Sequence, residues 1–202
     1  MASLRQCQES LLALALLLFV QGCVATIPSL PESFPSEGPV AFGRIHVVLT
    51  GPTTRWYTPE IRFIELYNHT IDKRFRLEIG SEESLFAASL PAGDYRITRV
   101  QITEGGFRGM ADLMVSFRID SDKVNYLGTW TFAVASPYYN RELVLTVSSE
   151  MVRTWAEVNM SYQDLQPRMI INNLAQPTTI KTRLFEVTPY PGVRWFRRHA
   201  AS

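Results

Sequence analysis

The sequence predicts a mainly β protein, an antiparallel β-sandwich with one amphipathic helix near residues 149–163. Three observations carry this expectation. Beyond residue 40 the chain breaks into short runs rich in β-branched and aromatic residues, separated by turn-forming residues. Within several runs polar and apolar side chains alternate, as on a strand with one buried face. After Ser149 the apolar period lengthens to that of a helix.

The elements follow in order. Residues 42–50 (FGRIHVVLT) form a first strand, ended by Gly51-Pro52, and residues 61–67 (IRFIELY) a second. In residues 74–79, Phe75, Leu77 and Ile79 alternate with Arg74, Arg76 and Glu78, the pattern of a half-buried strand. Residues 84–89 are another candidate. Pro91 and Gly93 then suit a turn, Pro91 by its fixed φ and Gly93 by its tolerance of positive φ. A strand over 95–102 follows. Glu104-Gly105-Gly106-Phe107-Arg108-Gly109 lacks the Lys-Ser/Thr of a phosphate-binding loop and reads as a connection between strands. Strands are expected over 113–119 and 124–134, joined by a turn at 120–123, with Gly128 at a bulge. A strand at 142–147 precedes the helix. There Met151, Trp155, Val158 and Tyr162 form the apolar stripe, Ser148 or Ser149 caps the start, Glu150 suits the first turn, and Arg153 and Glu157 pair on the exposed side. The apolar run Met169-Ile170-Ile171 is broken at Pro177, and residues 179–187 are expected as a last strand.

The segment Leu90-Pro91-Ala92-Gly93-Asp94-Tyr95-Arg96-Ile97 resembles the corner of prealbumin-like sandwiches, including carboxypeptidase-regulatory-like modules. The resemblance implies a tyrosine packed across the sandwich and no catalytic site. The run Val124-Asn125-Tyr126-Leu127-Gly128 is similar to β-rich bacterial lipoproteins whose function is unknown.

The N-terminus has a different character. One cation, Arg5, precedes ten apolar residues at 11–20. A membrane-crossing helix needs roughly 20, so the run reads as a signal peptide. It exits at Val20-Gln21-Gly22-Cys23, which resembles the bacterial lipobox: an aliphatic residue, a variable one, Gly or Ala, then Cys. Gln21 departs from the usual Ala or Ser. The resemblance implies a diacylglyceryl group on the Cys23 sulfur, cleavage before Cys23 and fatty acylation (palmitate) of the new amine. Three chains anchor permanently where one binds marginally. Val24 in place of Asp implies, by the enterobacterial sorting rule, passage to the outer membrane. Cleavage after Ala25 would instead give a soluble secreted chain. In a eukaryotic secreted protein, Asn68-His69-Thr70 and Asn159-Met160-Ser161 would be glycosylation acceptors.

The resulting organisation is a signal peptide at 1–22, a lipidated cysteine and Pro/Ser-rich tether at 23–40, a sandwich with its helix at 41–190, and a basic, aromatic tail at 191–202. Four prolines and three serines in residues 24–40 read as an extended spacer that joins no sheet. In polyproline II form, at roughly 3.1 Å per residue, it would reach about 50 Å.

Charge and chemistry narrow the function. The chain has 20 Lys+Arg against 19 Asp+Glu, so its net charge of +1 offers nucleic acid no attraction. Seventeen of the cations are Arg, to which no function is assigned. Once Cys7 is removed with the signal peptide, Cys23 is the lone thiol and no internal disulfide can form. His46, His69 and His199 are scattered, and no metal-ligand spacing or nucleophile motif occurs. Asp120 and Asp122 fall short of the six to eight oxygens Ca²⁺ requires. The expectation is therefore a non-enzymatic envelope lipoprotein without cofactor or metal. Its partners are the membrane, through Cys23, and an envelope protein. The alternative is a surface module for glycan or peptide. In either case Trp56, Tyr57, Tyr138, Tyr139 and Trp195 are the candidate contact residues, because exposed aromatic faces stack on sugars and fill protein pockets.

Overall fold

Alternation along the strands produces two facing sheets. The computed structural model describes residues 24–35, 37–51, 55–80, 85–135, 141–165 and 168–187. Its elements are β1 (Ala25–Pro28), β2 (Val40–Leu49), β3 (Glu60–Asn68), β4 (Lys73–Glu78), β5 (Leu85–Ser89), β6 (Gly93–Glu104), β7 (Phe107–Ile119), β8 (Val124–Val134), β9 (Glu142–Ser148), α1 (Met151–Ser161), β10 (Ile170–Asn172), β11 (Thr179–Arg183) and β12 (Phe185–Glu186). Sheet A runs β1-β4-β3-β6-β7-β12. Sheet B runs β11-β9-β8-β2-β5, with β10 beside the first residues of β8. This is a β-sandwich with one α-helix among the described residues, as expected. The sheets are mixed, however, and not wholly antiparallel: β1 lies parallel to β4, and both β2 and β10 lie parallel to β8. Parallel neighbours need a long crossover connection, which local alternation does not reveal.

The principal core lies between the sheets. Trp130 of β8 sits at 4.7 Å from Phe86 and 6.2 Å from Phe117, ring centre to ring centre, and its indole N–H donates to the Leu127 carbonyl at 3.0 Å. Tyr95 stacks on Phe117 at 5.3 Å, its hydroxyl donating to the Pro91 carbonyl at 2.7 Å. Burial pushes that hydroxyl up to about 12. The Gly93 turn forms as expected: φ is +144°, and a Cβ there would come within 2.7 Å of Thr70 Oγ1. The β8 bulge also forms, where Phe42 and Arg44 face Tyr126 and Thr129 with Leu127 and Gly128 between.

A second apolar cluster covers the outer face of sheet B. Phe42, Tyr126 and Ala87 of the sheet meet Trp155 and Val158 of α1, and Leu30, Phe34 and Ile170 pack around them. A buried Val contributes roughly 2 kcal/mol, so the predicted stripe is sufficient to dock an 11-residue helix. The expected Arg153–Glu157 pair is present at 3.5 Å, and Glu157 also binds the buried Arg44. That Arg44 hydrogen bond holds the Glu157 carboxyl below its ordinary value. The serine cap does not form. The helix starts one residue later than a Ser149 cap requires: Glu150 is the N-cap residue without a side-chain cap bond, and its own N–H donates to the Tyr126 hydroxyl at 2.7 Å.

Two further expectations are corrected. Residues 24–40 are not a free spacer. Ala25–Pro28 pair with Phe75–Glu78, Ser29 N–H donates to the Glu78 carbonyl, and the Ser29 carbonyl accepts from Ala87 N–H. The chain thus crosses from sheet A to sheet B as a strap. Phe34 packs edge-on against Tyr162 at 4.8 Å, and the Pro31 carbonyl accepts from the Tyr162 hydroxyl at 2.6 Å. Ala25, Thr26 and Ile27 precede the first proline and keep their N–H groups. Ile27, Leu30 and Phe34 supply apolar surface that outweighs the prolines' resistance to regular structure. The single strand expected over 179–187 is two. β11 edges sheet B, Leu184 turns into the core, and β12 edges sheet A, closing that side of the sandwich.

Candidate functional site

The two ends of the sandwich differ. β3 leads from one to the other, its nine residues setting them roughly 26 Å apart at ~3.3 Å per step.

At the first end, the β3–β4 and β5–β6 turns interlock. Buried Asn68 accepts from Thr70 N–H at 2.8 Å and Ile71 N–H at 3.3 Å, and Thr70 Oγ1 accepts from Asp94 N–H at 3.0 Å. Its burial removes Asn68 as a glycosylation acceptor. At the start of β8, buried Asn125 ties down the β7–β8 turn: it donates to the Val40, Asp120 and Lys123 carbonyls and accepts from Asp120 N–H. Asp120 itself pairs with Arg118 at 3.4 Å and accepts from Asn173. Its oxygens serve protein partners, as a hairpin turn requires.

At the opposite end, the β2–β3 connection carries Trp56 and Tyr57. Trp56 is 93% exposed and Tyr57 63%. The residues on either side of Trp56 are held. Arg55 donates to the Val134 carbonyl at 2.9 Å and the Thr50 carbonyl at 3.3 Å, and pairs with Glu104 at 3.3 Å. The two ion-paired side chains are only 6% and 8% exposed. Burial raises the Glu104 carboxyl above its ordinary value, and the neighbouring Arg55 guanidinium opposes that rise. Tyr57 lies over the two-residue turn between β6 and β7. There Gly105 has φ +56°, and a Cβ would stand 2.5 Å from the tyrosine ring. Val48 and Leu49, both exposed, end β2 just before this connection.

Of the aromatic candidates, Tyr138, Tyr139 and Trp195 lie outside the described residues, as do Cys23 and His199. Ala135 and Arg141, which flank residues 136–140, sit at the Trp56 end: Ala135 N–H donates to the Glu142 carbonyl, and the Arg141 guanidinium lies 6.0 Å from the Phe107 ring. Val187 bonds to Arg108 at the same end. His46 falls in β2 and His69 in a turn, as read from sequence. No cluster of three metal-ligating side chains occurs among the described residues, and no helix among them is long and apolar enough to cross a membrane.

A second surface was not anticipated. The outer face of sheet A carries Arg62, Arg74, Arg76, Arg96, Arg99, Arg108 and Arg118. Across the strands they form rows. Arg76–Glu65–Arg99–Asp112 alternates in sign and neutralises itself, with contacts of 3.3, 3.8 and 3.0 Å. Arg74–Tyr67–Arg96 places two cations about one ring, with Arg74 at 5.8 Å from its centre. Beside β1 lies a groove of about 490 Å³ lined by Pro28, Arg62, Phe63, Arg76, Glu78 and Gln101. Arg76 stacks on Phe63 there at 4.3 Å. Alternation placed Arg74 and Arg76 on a solvent face, but only strand order brings the others beside them.

No family model, curated protein or solved structure matches the chain.

Proposed function

We propose that this chain is a lipid-anchored protein of the bacterial cell envelope, held on the outer membrane through Cys23, and that its sandwich is a non-catalytic module binding another envelope protein through the Trp56 end. The lipobox-like exit of the signal peptide supports the address. One observation carries the binding role: an indole left in water next to an arginine, Arg55, whose side chain is buried and bonded to Glu104 and the Val134 carbonyl. Folding gains nothing from presenting Trp56 this way, whereas a partner gains a rigid aromatic anchor with little ordering cost. Trp, Tyr and Arg dominate binding energy at protein interfaces, and this end carries the first two side by side.

The test is recovery of partners from detergent-solubilised membranes. The wild-type protein should retain a defined envelope protein, and Trp56→Ala should lose it while keeping its fold and its membrane fraction. Recovery of the chain alone, or equal recovery with the variant, would remove the reading. Adjacent exposure of Trp56 and Tyr57 also favours a second reading, stacking on a glycan. A glycan array with no Trp56-dependent signal eliminates that one.

A further inference from the structure

We infer that the end of the sandwich built from the β3–β4 turn and the Arg74–Tyr67–Arg96 row rests directly on phospholipid headgroups, so that the Trp56 end points away from the bilayer. The inference depends on lipidation of Cys23 and adds to it a membrane-contacting surface and an orientation.

The argument starts from chain length. β1 begins at Ala25 and pairs there with Phe75, near the start of β4. Val24 alone separates Ala25 from Cys23. Two residues span at most about 7 Å. The headgroup layer of one leaflet is of similar depth, about 5–8 Å, the difference between the hydrocarbon core and the whole bilayer shared over two sides. A lipid on the Cys23 sulfur therefore leaves no slack, and the start of β1 lies at the headgroup level. Because β1 and β4 are parallel, the start of β4 and the turn before it lie there too.

The chemistry of this end suits that place. Ile71 stands in the β3–β4 turn, 40% exposed. Lys73 and Arg74 are exposed on β4, the neighbour of β1, and Arg96 is exposed on β6, two strands beyond β4. Asp94 faces Arg118 at 3.6 Å, and Asp72, which accepts from the Tyr67 hydroxyl at 2.5 Å and keeps its charge, offsets only one of Lys73, Arg74 and Arg96. Arg74 and Arg96, on either side of Tyr67, have no ion pair described and fit phosphate oxygens, while Tyr67 and Ile71 fit the interface between headgroup and acyl chain. The turns themselves are locked by Asn68 and Thr70, so the end meets the bilayer as a rigid body.

The experiment uses full-length protein matured in cells and reconstituted in phosphatidylethanolamine/phosphatidylglycerol vesicles. With the Cys23 sulfur in thioether linkage and Cys7 cut away, an introduced cysteine is the one free thiol of the mature chain. Ile71→Cys and Gly106→Cys carry a nitroxide at opposite ends, and a Cβ at Gly106 meets nothing within 4 Å. The label at 71 should lose accessibility to a water-soluble nickel complex and gain it to oxygen, while the label at 106 stays open to nickel. Adding Arg74→Glu and Arg96→Glu should restore nickel access at 71 without releasing the protein from the vesicles. Equal nickel access at both positions on vesicles that carry the protein on flotation would overturn the orientation and leave the anchor standing. Protein that does not float with the vesicles would overturn the anchor and the orientation together.

Discussion

The two ends of this sandwich are built on opposite principles. At the β3–β4 end each buried polar side chain is consumed by the fold: Asn68 and Asn125 satisfy backbone groups of the turns around them, and Thr70 ties one turn to the next. At the β2–β3 end a buried ion pair, Arg55–Glu104, and a tyrosine lying on a glycine turn hold up a tryptophan that touches almost nothing. One end spends its polar groups on stability. The other spends a costly buried charge pair on presentation, since such a pair adds little net stability. Substitutions should therefore separate the two: at the first end they change folding, at the second they change binding.

The largest expected effect is at Asn68. Asn68→Ala leaves two turn N–H groups without an acceptor and a small void beside them, a cost of about 3 kcal/mol, read as a lower midpoint in urea with an unchanged slope. A loss below 0.5 kcal/mol would erase the contrast between the ends. Next comes Trp56→Ala, which should weaken partner binding by about 30-fold, or ~2 kcal/mol, while shifting unfolding by no more than about 0.5 kcal/mol. Gly93→Ala should cost about 1–2 kcal/mol through backbone strain and the approach to Thr70, with no change in binding, measurable by thermal unfolding. The smallest effect is a dependence on pH. Because the Glu104 carboxyl is raised in the folded state, folded protein takes up this proton before unfolded protein does, so this group's contribution to stability rises as pH falls through that window. Protonation also removes Arg55's charged partner. The NMR order parameters of residues 55–57 should therefore fall on mild acidification while those of the β3–β4 turn stay high. Glu157 has the opposite sign: its carboxyl is lowered by Arg44, so its stabilisation is present at neutral pH and fades only as pH falls through that lowered value. An equal fall at both ends would show that the Arg55–Glu104 latch does not govern the Trp56 loop.

Local sequence carried the strands because each one declares its buried face by alternation. β8 falls within its expected limits, and Gly93 and Gly128 stand where a turn and a bulge required them. The α1 stripe was equally legible from its spacing. What local sequence hid depends on distant pairings. The prolines of residues 28–39 concealed Ile27, Leu30 and Phe34, whose burial becomes apparent only when β4, β5 and α1 are in place. The parallel neighbours β2 and β8 are 84 positions apart at Val40 and Val124. Arg55 and Glu104 are separated by 49 positions, and no motif links them. Of the candidate contact residues, Trp56 and Tyr57 were legible as aromatics in a connection; the buried Arg55 beside them was not. The arginine rows had no local signature because they exist only across strands.

Both ends acquire their roles from the modification proposed at Cys23. The most direct measurement is the intact mass of the mature protein extracted from membranes. The account predicts a chain that starts at residue 23 and carries a diacylglyceryl group and one further acyl chain. An unmodified chain starting beyond residue 23 would contradict it.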